Sequence, residues 1–415
     1  MRRVSFLGSS IVRRSDPKPP RRAPSPEYLA ELIELAEGHG LSAFGVAPAD
    51  VLDRSRQEIH RRRAANLHDG MQFTYRNPDR STDPSRAVAG ARSIIVGAMP
   101  YLLSDIDAPA ADPSGAEQAE VVTVFGRVAR YAWRDHHEPL RSGLSAMAHR
   151  LRDDGWKATA FADDNSIVDR EVAHLAGIGW FGKSSNLLVA GAGSWFVLGC
   201  VITTAPFAPA EHVVADGCGS CRRCIDGCPT GAIIGDGVID ASRCLSWLLQ
   251  KPGIFDPRFR VALGDRIYGC DDCQEVCPPT VHLGKRLQRP ASGAEQRLVD
   301  VLELLTDDDE AVLATNGRWY LADRDPRWLR RNALVVLGNS ACLGVSFAAA
   351  STSEASTAET SMELRVRSVL DRYISHHDPV LRAHAVWAAR RLGADDLVPV
   401  SDPDPMVSAE LIRQL

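Results

Sequence analysis

Eight of the ten cysteines lie between Cys218 and Cys277, at spacings that suit iron chemistry. The first run, "CGSCRRCIDGCP", places Cys218, Cys221, Cys224 and Cys228 as C-x2-C-x2-C-x3-C-P. That is the bacterial spacing for [4Fe–4S] clusters, in which the fourth cysteine ligates the other cluster of a pair. The second run, "CDDCQEVCP", holds Cys270, Cys273 and Cys277 and is one thiolate short; Cys244 in "RCLSWLLQ" supplements it. Crossing the ligands gives one cluster on Cys218, Cys221, Cys224 and Cys277, and a second on Cys228, Cys244, Cys270 and Cys273. Zinc is the alternative, but zinc sites usually pair two C-x2-C knuckles. The chain shows no secretion signal, so disulfides are not expected. Cys200 and Cys342 stand alone among apolar residues and read as buried hydrophobes. Two cubanes form a short wire for low-potential electrons, and the large segment before them is expected to bind what the wire feeds.

A second stretch invites a different chemistry. "GIGWFGKS" (177–184) matches the phosphate-loop pattern G-x-x-x-x-G-K-[ST], and its first six residues match G-x-G-x-x-G. Both motifs need a strand before the glycines and a helix after them. Here the order is reversed. "SIVDREVAHLAG" sets Ile167, Val168, Val172, Leu175 and Ala176 on one helical face, and Gly177 stops that helix. "NLLVAGAGSWFVLGCVITT" then reads as two strands around a Gly-rich turn. The nucleotide readings fail on context.

The elements that must position these groups follow from periodicity. "EYLAELIELAEG" reads as a helix, "LSAFGVAPA", "ARSIIVGAMPYL", "GRVARYAW" and "WKATAFADD" as strands, and Glu138 to about Arg152 as a helix. This alternation predicts an α/β N-terminal domain over 26–205. A bacterial-ferredoxin-like domain with two [4Fe–4S] clusters is expected over 206–290. In 291–415, "DPRWLRRNALVVLG" and "DPVLRAHAVWAARRLG" share D-P, L-R-x-x-A and L-G, which predicts α-helical HEAT-like repeats. A low-complexity linker at 343–362 interrupts them. Residues 1–25, rich in Arg, Pro and Ser, read as a disordered basic tail.

With 45% hydrophobic and 24% charged residues, the chain of 415 is ordinary for a globular protein. No apolar run reaches membrane-spanning length, so a cytoplasmic location and no membrane contact are expected. The net charge of −5 excludes a generally basic nucleic-acid binder and leaves only a local patch for such contact. Arg324, Arg327, Arg330 and Arg331 form such a cluster, against the alternative of a solvated helix face.

"RYAWRDHH" (130–137), "DDNSIVDREVAHLAGIGWFGKSSNLL" (163–188), "GSWFVLG" (193–199), "IYGCDDCQEVCP" (267–278) and "RRNALVVLGN" (330–339), with the first cysteine run, carry a resemblance. Together they resemble the epoxyqueuosine reductase (QueG) family over about residues 28–393. The resemblance implies reduction of the epoxide of epoxyqueuosine, at the tRNA wobble position, to queuosine. It implies cobalamin bound to the α/β domain, two [4Fe–4S] clusters, a chemistry related to reductive dehalogenases, and tRNA bound through its anticodon stem-loop. A flavodoxin- or ferredoxin-type electron donor and a monomeric chain are the accompanying expectations.

The family segment D-S-x-P-V-L-E-R falls on Asp163 through Arg170. It makes Asp163 the catalytic acid, also close to the cofactor, and Arg170 a substrate-side cation. Protonating the opened epoxide oxygen is work a positioned carboxylic acid can do. Capping of the following helix is the alternative role for Asp163, and Asp164 is the alternative acid. The resemblance carries Lys183, Ser185, Asn186, Arg80 and Ser246 to the cofactor, and Lys251, Arg330 and Arg331 to the substrate. "GIGWFGKS" then presents backbone and a lysine to a corrin. The sequence departs from the family at Ser166 (usually Pro), at Asp135-His136-His137 (usually D-Y-H), at "LSWLLQK" and at "CPPT". Two rivals remain: a two-cluster electron carrier with a helical-repeat binding module, and a cobalamin reductase of a small organic substrate.

Overall fold

The computed structural model describes residues 21–73, 75–103, 123–283, 288–343 and 357–414. Most of the basic tail, the side chain of Cys342 and most of the 343–362 linker lie outside them; the helix Thr357–Ile374 begins within the segment read as linker.

Strand β1 (Ala43–Pro48) pairs with β2 (Ser93–Pro100); β3 (Phe125–Val128) lies elsewhere, while β4 (Ala158–Ala162) closes the same sheet. β5 (Gly179–Phe181) and β6 (Leu187–Val189) form a separate hairpin, and β7 (Phe196–Thr203) inserts to give the order β1-β2-β7-β4. Every neighbouring pair in this sheet is antiparallel. Helix–strand alternation along the sequence usually signals parallel crossovers; here β2 and β4 do run the same way, but β7 inserts between them and every hydrogen-bonded pair is antiparallel.

All eight residues of β2 are buried because both sheet faces are covered. Ile95, Met99 and Val201 pack under the helices Pro26–Glu37 and His137–Asp153. Their alternates Ile94, Val96, Cys200 and Ile202 pack against Val172 and Ala176 around the helix Asp169–Leu175. Gly199 lets the long helix approach, since a Cβ there would lie 2.6 Å from Leu144.

The cysteine region carries a hairpin, β8 (Ile233–Gly235) with β9 (Val238–Ile239), and the short strand β10 (Arg266–Tyr268). β10 pairs in parallel with β3, and β11 (Leu298–Asp300) pairs antiparallel on its other side. The strand read as part of the first domain therefore shares a core with the last: Val124 and Val128 pack with Leu263, Val301, Leu329 and Leu337. The repeated D-P and L-G segments form the helices Arg327–Asn339 and Pro379–Leu392. They touch at Gly338, where a Cβ would lie 2.5 Å from the Trp387 ring. Among the described residues no helix is long and apolar enough to cross a membrane.

Candidate active site

The short helices Arg223–Asp226 and Asp272–Glu275 carry Cys224 and Cys273, and the neighbouring cysteines lie in the segments that flank them. Burial raises the Cys224 thiol, and the thiols of Cys277, Cys218 and Cys221 raise it further. Burial likewise raises Cys273, followed by Cys270 and Cys244, and Cys228 lies beside Cys244. The neighbours thus fall into two sets, Cys218, Cys221, Cys224 and Cys277 against Cys228, Cys244, Cys270 and Cys273. Cys224 is also close enough to Cys273 to raise it, so the two sets adjoin. Burial pushes Cys270 up to about 12, whereas Cys221 is exposed. One set reaches the surface through Cys221, and the other, though partly accessible, holds the more deeply placed thiols Cys244, Cys270 and Cys273. Polar groups already face the sulfurs: the Ala232 amide donates to Cys228 Sγ at 3.2 Å and Asn186 Nδ2 to Cys273 Sγ at 3.7 Å.

Asp163 ends β4 in left-handed backbone, at φ +53°, and is exposed. For a non-glycine residue that conformation is uncommon, though Asp tolerates it. Its loop is pinned from two sides. The Ser166 amide donates to Asp164 Oδ1 at 2.7 Å, and Ser81 Oγ donates to the Asn165 carbonyl at 2.6 Å. Asp164 is thus engaged in a local turn. Arg80, exposed on the same short helix as Ser81, is brought to the flank of the acid loop.

Three further groups surround Asp163. His137, at the start of the long helix, has its pKa lowered by burial while Asp163 and Asp135 pull it back up. Tyr268 on β10 is raised first by burial and also feels Asp163. Asp169, six residues on, is raised well above an ordinary carboxyl by burial and then by Asp163. None of the three was assigned a role from sequence. The acid at Asp169 adjoins Arg170 in the segment quoted for the resemblance, and that adjacency was the available signal.

Arg170 links the acid to the enclosed thiols. Crowding by the surrounding chain lowers its pKa although the residue is exposed to solvent, and Cys273 and Asp169 offset this, with Cys244 also near. Its Nη1 donates to the Ser185 carbonyl at 3.2 Å. Ser185 is left-handed, at φ +65°, in the turn from Gly182 to Asn186 that joins β5 to β6. "GIGWFGKS" is therefore a helix stop followed by a hairpin, with Gly177 at φ +71°. Lys183 Nζ lies 3.4 Å from Asp236, and its backbone faces Cys218. The Ser246 backbone faces Cys244, and its side chain reaches Tyr131. Lys251 Nζ is already paired to Asp69 at 2.6 Å.

Two expectations are overturned. Arg331 is fully buried, and its guanidinium donates to the carbonyls of Leu248 at 2.9 Å, Lys251 at 2.7 Å and Gly253 at 2.9 Å. It satisfies orphan carbonyls at the end of the helix Leu245–Leu248 and cannot meet a phosphate. Arg330 is 8% exposed, paired to Asp309 and bonded to the Asp307 carbonyl at 2.8 Å. Both arginines lie inside because the helix that carries them is buried on nearly every side. Arg331→Leu is expected to lower stability by about 3 kcal/mol, measured by denaturant titration, because buried carbonyls would lose their partners.

Residues 217–280 match the sequence profile of a 4Fe-4S double cluster binding domain, and residues 81–164 that of "Epoxyqueuosine reductase QueG, DUF1730". The epoxyqueuosine reductase of Bacillus anthracis is 30% identical over 374 residues, covering 88% of this chain and 89% of that protein. That of Bacillus subtilis is 29% identical over 395 residues, covering 93% and 90%. A solved structure of the Bacillus subtilis enzyme, its catalytic aspartate loop swung out of the active site, superposes with a TM-score of 0.76. It is 25% identical and covers 93% of this chain and 97% of that one. A crystal structure of an epoxyqueuosine reductase with an epoxyqueuosine-modified tRNA-Tyr stem loop gives 0.75 at 26% identity, covering 93% and 97%. With its double [4Fe–4S] cluster domain, the chain belongs to the epoxyqueuosine reductase family.

Proposed function

We propose that the chain reduces the epoxide of epoxyqueuosine in the anticodon loop of tRNA to the alkene of queuosine, with Asp163 as the acid. The observation that carries the assignment of Asp163 is the run of neighbours from it through Asp169 and Arg170 toward Cys273. Arg170 sits between that carboxylate's loop and Cys273, and Asn186 bonds the same sulfur. Electrons arriving at Cys273 end on the side of the molecule where Arg170, Asp169 and Asp163 are gathered, and a simple electron carrier does not require those groups.

In this reading the surface set, with Cys221 exposed, receives electrons from a flavodoxin- or ferredoxin-type donor, and the enclosed set passes them on. The turn from Gly182 to Asn186 supplies a left-handed serine, a lysine and an asparagine, which fit a cofactor bearing amide and phosphate groups. Lys183, Ser185, Asn186, Ser246 and Arg80 would hold cobalamin there. Bound cobalamin would supply a strongly reducing cobalt to the epoxide carbon. Asp163 gives its proton to the oxygen as the first C–O bond opens, and Arg170 holds the substrate side of the pocket. The helices after 290, read as HEAT-like repeats, flank the tRNA. Exposed Arg324 and, by exchange with Asp69, Lys251 remain the candidate phosphate contacts.

Mass spectrometry of tRNA nucleosides, from a host lacking its own enzyme, tests the function. Expression of this gene should replace epoxyqueuosine by queuosine; persistence of the epoxide with soluble, cluster-loaded protein would reject it. The crossed ligand assignment has its own check. Cys277→Ala should lose the surface cluster and about half the iron, with Cys270 and Cys273 still holding theirs. Iron analysis and electron paramagnetic resonance of the reduced protein would read this. Loss of the enclosed cluster instead would mean that the ligands are not crossed.

A further inference from the structure

Reducing an epoxide to an alkene consumes two electrons and two protons. Two C–O bonds break, one C=C bond forms, and the oxygen leaves as water. The electrons come through the clusters. Asp163 holds one proton, so a second must reach the oxygen before water can leave.

We propose that Asp169 supplies the second proton of each turnover by reloading Asp163, an inference that rests on the functional reading above. Asp169 opens the helix Asp169–Leu175, and the pinned loop from Asp163 to Val168 folds it back behind the acid. Its Oδ1 is buried, and no hydrogen-bond partner meets it among the described residues. The charged and titratable groups around it are Asp163, Arg170 and Asp164, with the buried Cys200 thiol of β7 behind. An ionised Asp169 would face Asp164, and Asp163 once that has given up its proton, and its inner oxygen meets no donor among the described residues. Burial and those neighbours favour its protonated form, which turns an orphan acceptor into a proton reserve.

The other neighbours are less suited. His137 is pushed toward its neutral form by burial, and Asp164 already accepts from the Ser166 amide. Asp169 acts through Asp163 and does not touch the substrate. As the first C–O bond opens, Asp163 protonates the alkoxide and becomes a carboxylate. Asp169 then passes its proton to Asp163, and Asp163 delivers it to the departing hydroxyl. Both carboxylates are reprotonated from solvent before the next turnover.

The test uses the cluster- and cobalamin-loaded full chain with Asp169→Asn and Asp169→Glu. In infrared spectra near neutral pH, a protonated-carboxyl stretch should be present in the wild type and in Asp163→Asn. That band should be lost in Asp169→Asn, leaving the separate contributions of Asp163 and Asp271. With tRNA stem-loop substrate, Asp169→Asn should lower kcat about tenfold to 100-fold at pH 8 with KM unchanged. The deficit should shrink as the pH falls, because solvent can then reload Asp163, and Asp169→Glu should restore most of the rate. Survival in Asp169→Asn of the band that Asp163→Asn retains, or a pH profile identical to wild type, would overturn the proposal. The infrared measurement needs no turnover, so it stands apart from a failure of the wild type to reduce epoxyqueuosine, which would count against the functional reading alone.

Discussion

Asp163→Asn is expected to lower kcat for epoxide reduction by about 10³-fold and to leave both clusters in place. The substitution is a clean one at this position. Asp163 holds φ +53°, a conformation that Asn adopts as readily as Asp, so the loop keeps its shape. Asn preserves the size and most hydrogen bonding of the side chain and removes only the transferable proton. Substitution by Ala would add backbone strain and confuse the reading. Asp164→Asn serves as the comparison, since Asp164 Oδ1 caps the Ser166 amide at 2.7 Å and an amide oxygen can do the same. Its activity should fall less than about tenfold, the cost of weakening one charged hydrogen bond. Single-turnover rates, with the product nucleoside quantified by mass spectrometry, decide between them. Equal losses would move the catalytic assignment to the pair, and a larger loss at Asp164 would shift the acid by one residue.

The contrast between those neighbours shows which features a sequence discloses. The cysteine sets are partly legible because Cys218, Cys221 and Cys224 come from one loop and turn, so their spacing is local, while Cys277 joins them from the second run. Cys244 was found by counting, not by pattern. The helix before "GIGWFGKS" was legible too, since Ile167, Val172 and Ala176 keep helical period and Gly177 takes the left-handed stop. Strand direction was not. Unbroken burial along β2 says that both faces are covered, and says nothing of whether β7 runs with it or against it. The pairing of β3 with β10 and β11 spans more than a hundred residues and leaves no local trace.

The arginines misled for a related reason. "RWLRRN" reads as a cationic surface because free charge is costly to bury, yet Arg331 finds carbonyls at the end of another helix. The apolar run "ALVVLG" that follows was the signal that this helix is buried all round. Asp169 and His137 were hidden by the same non-locality. Each became interesting only when the fold placed it beside Asp163.

His136→Phe is expected to stabilise the protein increasingly in acid. His136 is 1% exposed, and neither ring nitrogen has a hydrogen-bond partner of normal geometry among the described residues. Its ring lies 5.5 Å from that of Tyr101, an apolar contact that Phe can keep. At neutral pH, replacing a buried polar ring whose one polar neighbour is the Arg130 backbone by an apolar ring should change stability by less than about 1 kcal/mol. Below that the histidine carries a further penalty. Burial, with Arg134 and Arg289 nearby, lowers its pKa from 6.5 to about 3. The unfolded chain therefore takes up a proton as pH falls through 6.5, while the folded chain refuses it until about 3. Wild-type stability is lost across that window at up to about 1.4 kcal/mol per pH unit from this group alone. Other buried groups titrate there too, and Asp271, raised to about 6 by burial, works in the opposite sense. The difference between variant and wild type cancels those shared contributions. Denaturant titrations at pH 7.5 and pH 5 should show the advantage of His136→Phe growing by about 2 kcal/mol. An advantage that stays constant with pH would mean that the folded protein protonates His136 normally, and that the ring reaches a partner or water on opening.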